Sequence, residues 1–167
     1  MRRFKQQLPD TEVRQILDTA TNGILSLVDG DGAPYGVPMS FVFDGGRNIY
    51  FHCARQGRKT DCLRHESRAS FCVVAADEVQ PDEFTTYFRS VIVSGRVTLV
   101  EQRGDIEAAL RMLCAKYSPG IDCTEEIAGA IDRVAVLRLS VDSATGKEAV
   151  ELTRRRDYEQ QTNRENK

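Results

Sequence analysis

The sequence predicts a mainly β, α+β domain, an antiparallel barrel with helices packed around it. Three observations carry that prediction. Apolar runs of strand length follow one another across turn chemistry ("VDGDGAP", "DGGRN") rather than across long helices, which disfavours a doubly wound parallel sheet. The helical periodicities are few and sit at the start, in one short insertion and late in the chain. Neither an internal repeat nor a linker rich in Pro, Gly or Ser divides the chain, so residues 1–152 are expected to form one domain, followed by a charged tail at 153–167.

Each element has a local reason. The chain opens with a helix: Asp10 stands where an N-cap belongs, and Val13, Ile16, Leu17 and Ala20 recur at helical spacing. The stretch "NGILSLVDGDGAPYGVPMSFVFDGGRNIYFHCA" holds three strand-like runs and reads as a β-meander. The third run puts Ile49, Phe51 and Cys53 on one face and Tyr50, His52 and Ala54 on the other. Gly57 breaks it, "RKTDCLRHE" reads as a short helix, and "ASFCVVAA" as a β-branched strand. The polar, proline-containing "DEVQPDEFTTY" reads as a loop. In "SVIVSGRVTLV", Val91, Val93, Val97 and Leu99 share a face, and Gly95 marks a bulge or a close backbone approach. A helix from about Asp105 aligns Ile106, Ala109, Leu110, Leu113 and Tyr117. Asp122 and Glu125 have capping-box spacing for another short helix, and "VAVLRLSV" is the last strand. The tail "RRRDYEQQTNRENK" lacks periodicity and is expected to fray.

Composition narrows the function classes. A net charge of −2 supplies no field for nucleic acid or an anionic membrane. No apolar run approaches a membrane span, and "MRRFKQQLPD" lacks the apolar core of a leader. Five cysteines without a C-x-x-C pair argue for reduced thiols in a cytoplasm rather than for a disulfide framework. G-x-S-x-G, Walker, H-E-x-x-H and EF-hand patterns are all absent.

What remains is "FHCARQGRKTDCLRHES", which holds both histidines. As a zinc site it is poor: His52 and Cys53 are strand neighbours that point to opposite faces, so at most three ligands converge with Cys62 and His65. No metal is therefore expected. As an anion site it has the parts, since Gly57 lets the chain turn and Arg58 and Lys59 sit at a helix start whose N–H groups favour negative charge. A solvated basic turn accounts for the same residues equally well. His65, late in the helix, reads as structural or exposed. His52 lies on the strand face opposite Ile49, Phe51 and Cys53, either as a satisfied structural histidine or as a polar group aimed into a ligand cavity that this face borders.

Pro38, His52, Gly57, "YFRSV" (87–91) and "GKE" (146–148), in this order, resemble the flavin-binding split-barrel superfamily of pyridoxamine 5′-phosphate oxidase, and more closely its nitroimidazole-reductase branch. The resemblance runs from the first helix to about residue 152. It implies a homodimer with FMN at the subunit interface and a small-molecule substrate. It places Val37, Pro38, Met39 and Ser40 against the flavin ring through their backbone, and Ala54, Gly57, Arg58 and Lys59 around the phosphate. Ser90 is implied as a further cofactor contact. His52 is implied to be catalytic, as a proton donor or as an anchor for an anionic substrate, because imidazole changes charge near neutral pH. The sequence also departs from the vitamin-metabolism oxidase. It has no Trp and lacks that enzyme's C-terminal substrate-phosphate motif, and the first pairing strand has no arginine for the FMN phosphate. Pyridoxamine phosphate is therefore not the expected substrate. The reading is an FMN-dependent oxidoreductase acting on a nitro compound. Its alternatives are a non-catalytic flavin- or haem-binding protein, and a split-barrel enzyme using a deazaflavin.

Overall fold

The computed structural model describes residues 4–165. After a 3-10 turn at Phe4–Gln6 come α1 (Asp10–Thr19), β1 (Asn22–Val28), β2 (Pro34–Ser40), β3 (Val42–Phe43) and β4 (Asn48–Ala54). Then follow α2 (Arg58–His65), β5 (Arg68–Gln80), β6 (Thr85–Leu99), α3 (Arg103–Tyr117), α4 (Thr124–Ala130), β7 (Val134–Glu148) and α5 (Val150–Glu165). The strands form one antiparallel sheet in the order β2-β1-β5-β6-β7-β4-β3. It curls until β2 and β4 approach each other, but no hydrogen-bonded pairing closes it. The α+β split barrel is therefore present, and among the described residues no helix is long and apolar enough to cross a membrane.

The inside is filled by alternate strand residues. Leu25, Ile49, Phe51, Phe71, Val91, Val93, Leu137 and Leu139 are fully buried, and Phe71 meets Phe41 and Phe51 edge-on at centroid separations of 4.8 and 5.0 Å. Val13, Ile16 and Leu17 of α1 join this cluster. A second cluster lies outside the barrel, where Ala109, Leu110 and Leu113 of α3 and Ile127 of α4 cover Val42 and Val136.

Several expectations change, the smallest being that Asp10 is the first residue of α1 rather than its N-cap. The meander stops after its first hairpin: β4 pairs with β3 and β7, not with β2. The break is at Phe41, whose side chain enters the barrel core while its N–H is taken by the Tyr117 hydroxyl at 2.8 Å instead of by a strand. The stretch expected as a loop is the outer part of a long hairpin, with Asp77 opposite Phe88 and Val79 opposite Thr86. Pro81 sits in its 3-10 turn, where a missing N–H costs no ladder bond, and Phe84 takes φ 51. Leu99 is 46% exposed rather than inward, because the strand ends there and the chain leaves for α3.

The tail is helical from Val150 through Glu165 instead of frayed; residues 166 and 167 lie outside the described residues. Its anchors explain the "GKE" stretch. Glu148 is completely buried and paired with Arg156 at 2.8 Å and Arg89 at 3.2 Å. The Arg156 contact is a charge pair without hydrogen-bond alignment. Removing either arginine would leave a buried charge under-compensated. Gly146 lets the N-terminal segment cross, since a Cβ there would lie 2.8 Å from Leu8 Cβ. Gly95 behaves as expected: the register shifts beside it, and a Cβ would lie 2.0 Å from the Ser140 carbonyl oxygen.

Candidate functional site

The split between β2 and β4 sets the geometry. On β4 the alternation sends Ile49 and Phe51 into the barrel and leaves His52 and Ala54 outward and exposed. On β2, Val37 and Met39 point inward, whereas Pro38 and Ser40 are exposed. Val37 and Met39 can therefore touch a ligand only through their backbone. That backbone is accessible, because β2 is an edge strand paired with β1 alone.

At one end of the split, Ser40 and His52 line a cavity of about 320 Å³. Its wall is aliphatic, built by Leu110 and Leu113 of α3, Ile127 and Ala130 of α4, and Val134 of β7. Cys114, Ser118 and Glu126 add polar atoms. Burial, the neighbouring Cys123 thiol and the Glu126 charge push the Cys114 thiol up. Tyr117, also on the lining, is spent on structure: its hydroxyl accepts the Phe41 N–H and faces the carbonyls of Phe41 and Thr21, to either of which it donates.

At the other end, Gly57 takes φ +146 with no atom within 4 Å of where a Cβ would stand. Arg58 and Lys59 open α2, but the two cations are not equivalent. Arg58 donates to Asp29 at 3.0 Å and lies over the Tyr35 ring at 4.3 Å. This contact, with the Ala33 and Asp31 N–H groups, holds the Asp29 carboxyl below its ordinary value. Lys59 has no ion pair among the described residues; its charge offsets part of the burial that pushes the Cys53 thiol up. The outward positions between the two ends are small: Gly36 and Pro38 on β2, Ala54 and Gly57 on the opposite side. Along the split, a cation thus lies at the start of α2 and a cavity bearing an imidazole lies beside Ser40 and His52.

Residues 9–148 match the family described as pyridoxamine 5′-phosphate oxidase. The chain belongs to that family. No curated protein matches it. Among solved structures, the chain is similar to a candidate 5-nitroimidazole antibiotic resistance protein from Bacteroides thetaiotaomicron, at 21% identity and a TM-score of 0.74, over 85% of this chain and 86% of the other. A conserved hypothetical protein from Mycobacterium tuberculosis aligns at 19% identity and TM-score 0.75, over 87% and 88%. An FAD- and haem-binding protein from Mycobacterium smegmatis aligns at 22% and 0.73, over 87% and 73%. At such identities these likenesses show the fold.

Within this pyridoxamine 5′-phosphate oxidase-type barrel, Ser40 and His52 share one cavity, while Val37, Pro38 and Met39 lie along β2, and Ala54, Gly57, Arg58 and Lys59 at the end of β4 and the start of α2. Ser90 lies apart from them. It sits on β6 between Val74 and Lys147, whereas His52 pairs with Val136, next to the far end of β6. From position 90 to position 99 the strand contour is about 30 Å. The sequence reading also missed three groups. Asp29 looked only like turn chemistry, and Cys114 and Glu126 sit on helices that nothing in the sequence ties to His52. Asp29, two residues from a second Asp-Gly and followed by a basic turn far along the chain, carried no signal of its pairing.

Proposed function

We propose that the chain is an FMN-dependent oxidoreductase that reduces a small nitro compound, a nitroimidazole being the specific candidate. The observation that carries this is the split between β2 and β4: small outward residues along an open strand edge, Lys59 without an ion pair at the start of α2, and the cavity that Ser40 and His52 share. The residues present suit a flavin. A flat ring can lie on Pro38 and accept backbone contacts from the unpaired edge of β2, and a phosphate can meet Lys59 and the N–H groups that open α2. The names of the similar structures, one a nitroimidazole-resistance candidate and one a flavin- and haem-binding protein, point the same way.

The functional unit is proposed to be a homodimer with the flavin at the interface, each copy contributing residues 1–152 as one domain. Ser90 then contacts the cofactor bound mainly by the other copy, which is how a residue distant from His52 in its own chain joins the site. Five free thiols suit a reducing compartment, the cytoplasm.

Bound flavin supplies a hydride. A nitro group takes up two electrons and two protons to give a nitroso group and water, so a proton donor near the substrate oxygen is needed. His52, on the cavity wall, is assigned that role, its ring N–H directed at a nitro oxygen. The aliphatic wall of α3 and α4 orients the ring and excludes water. The test is the absorption spectrum of the purified protein with its released cofactor weighed by mass spectrometry, followed by turnover of His52→Ala. FMN should be found, and the variant should keep it while losing about a hundredfold or more in turnover. Unchanged turnover removes His52 from the chemistry. A haem spectrum instead makes it a candidate ligand and ends the nitro-reductase reading.

A further inference from the structure

The His52 cavity carries an electrostatic asymmetry that bears on which molecules can enter. Its lining contains one carboxylate, Glu126, and no lysine or arginine. The cations of the surrounding elements are committed elsewhere, except Arg138 of β7, which lines a different cavity with Tyr50 and Asp105. Lys116 directs its Nζ to the Leu17 carbonyl at 3.3 Å and over the Phe41 ring at 4.1 Å. Arg111 is paired with Glu107 at 2.7 Å, Arg133 donates to the Gly129 carbonyl at 3.1 Å, and Arg55 to the Asp132 carbonyl at 2.6 Å. Glu126 itself has no ion pair among the described residues. Its charge reaches the cavity wall, since it contributes to raising the Cys114 thiol.

We propose that this cavity selects uncharged substrates, with Glu126 as the residue that turns anions away. This deepens the reading of a small-molecule site and rests on it. A carboxylate- or phosphate-bearing molecule would meet the Glu126 charge at the cavity lining, with no lysine or arginine there to compensate. A neutral molecule of the same shape loses nothing. Such a juxtaposition is a specificity device built on repulsion rather than on a new contact, and about tenfold or more of discrimination is expected from it. It also bears on the two roles considered for His52. With Glu126 on the same lining, the imidazole has a carboxylate to balance its charge when it is the proton donor, which favours that role over anchoring an anion.

The test compares two ligands with the same nitro-bearing ring, 4-nitrobenzyl alcohol and 4-nitrobenzoate. Binding is read by titration calorimetry on the protein as purified, so neither turnover nor a particular cofactor is required. The parent should bind the alcohol about tenfold or more tighter than the benzoate. Glu126→Gln should narrow that ratio, and Glu126→Lys should narrow it further or reverse it. Glu125→Gln, at an adjacent residue outside the cavity lining, should leave it unchanged. Circular dichroism checks that each variant is folded; Glu126 is exposed, so all should be. Equal affinities in the parent overturn the proposal, as do a ratio that Glu126→Lys leaves unchanged, an equal effect of Glu125→Gln, or no binding of the alcohol. The oxidoreductase reading fails separately. A protein that discriminates between the ligands through Glu126 but neither holds flavin nor reduces the nitro group keeps this inference and loses that one.

Discussion

The two halves of the sheet have similar interiors and opposite exteriors. On β7 and β4, the outer residues Val136 and Tyr50 are covered by the chain itself, by α3 and α4. On β2, β1, β5 and β6 nothing among the described residues does the same. There the register lines up Pro38, Ile24, Cys72, Ile92 and Thr145 in one row across the outer face, and Ile24 is 40% and Ile92 49% exposed. Val74, 62% exposed, lies beside that row. An apolar outer position thus says that something covers it, not what. On one half the cover is encoded in cis, and on the other an exposed apolar strip is the kind of surface a second copy would occupy. The proposed flavin site lies along the border between them.

The largest effects should separate the halves. Leu113→Ala, which empties part of the covered exterior, should cost about 2–5 kcal/mol in urea denaturation. Ile92→Ala should move the stability of the dilute, dissociated chain by no more than about 0.5 kcal/mol. Ile92→Arg should keep the fold but halve the particle mass in light scattering and release the flavin. If Ile92→Ala costs as much as Leu113→Ala in the dissociated chain, or if Ile92→Arg leaves the mass unchanged, the bare half is not an interface and the comparison fails.

A smaller effect sharpens the border. Lys59→Ala removes a charge-assisted contact with a phosphate and should weaken FMN binding by about 1.5–3 kcal/mol, while leaving riboflavin binding unchanged. Arg58→Ala should cost less, because Arg58 is already engaged by Asp29 and Tyr35. Fluorescence titration of both flavins decides it. A larger loss from Arg58→Ala would mean that the arginine leaves Asp29 for the ligand, and equal binding of FMN and riboflavin by the parent would remove the phosphate from this turn.

Much of this arrangement was legible because local chemistry and the fold agree. The alternation around Ile49, Phe51 and His52 put His52 on the face opposite the core residues, and Gly95 marked a close backbone approach, to Ser140. The spacing of Ala109, Leu110 and Leu113 gave the buried face of α3. What was not legible depends on contacts distant in sequence. Phe41 ends β2 because Tyr117, 76 residues away, holds its backbone. The tail is helical because Arg156 finds a buried Glu148, whereas its own periodicity is weak. Glu126 belongs to the cavity only because α4 packs against α3. In the outer hairpin, Pro81 marks only the turn, and the polar residues on both sides are extended because β5 and β6 pair with each other as far as Gln80 and Thr85.

The smallest expected effect lies at the entrance of the bare half, where Glu66 closes α2 and Arg68 opens β5. Arg68 donates to Glu66 through Nε at 2.8 Å, and its backbone N–H at 2.9 Å adds to the hold. These bonds, the side-chain pair foremost, lower the Glu66 carboxyl from 4.5 to about 2. A carboxyl held lower in the folded than in the unfolded chain binds fewer protons when folded, so its contribution is fully present above the unfolded value and fades as pH falls. The window runs from about 4.5 down to about 2. Thermal unfolding of the parent and of Glu66→Gln should therefore differ slightly near neutrality and converge as pH falls through that window. The pair is exposed to solvent, so the difference should shrink in high salt, unlike that of the buried Glu148 pair. Parallel curves that never converge would show that the carboxyl titrates alike in both states, and that the junction is held by its backbone alone.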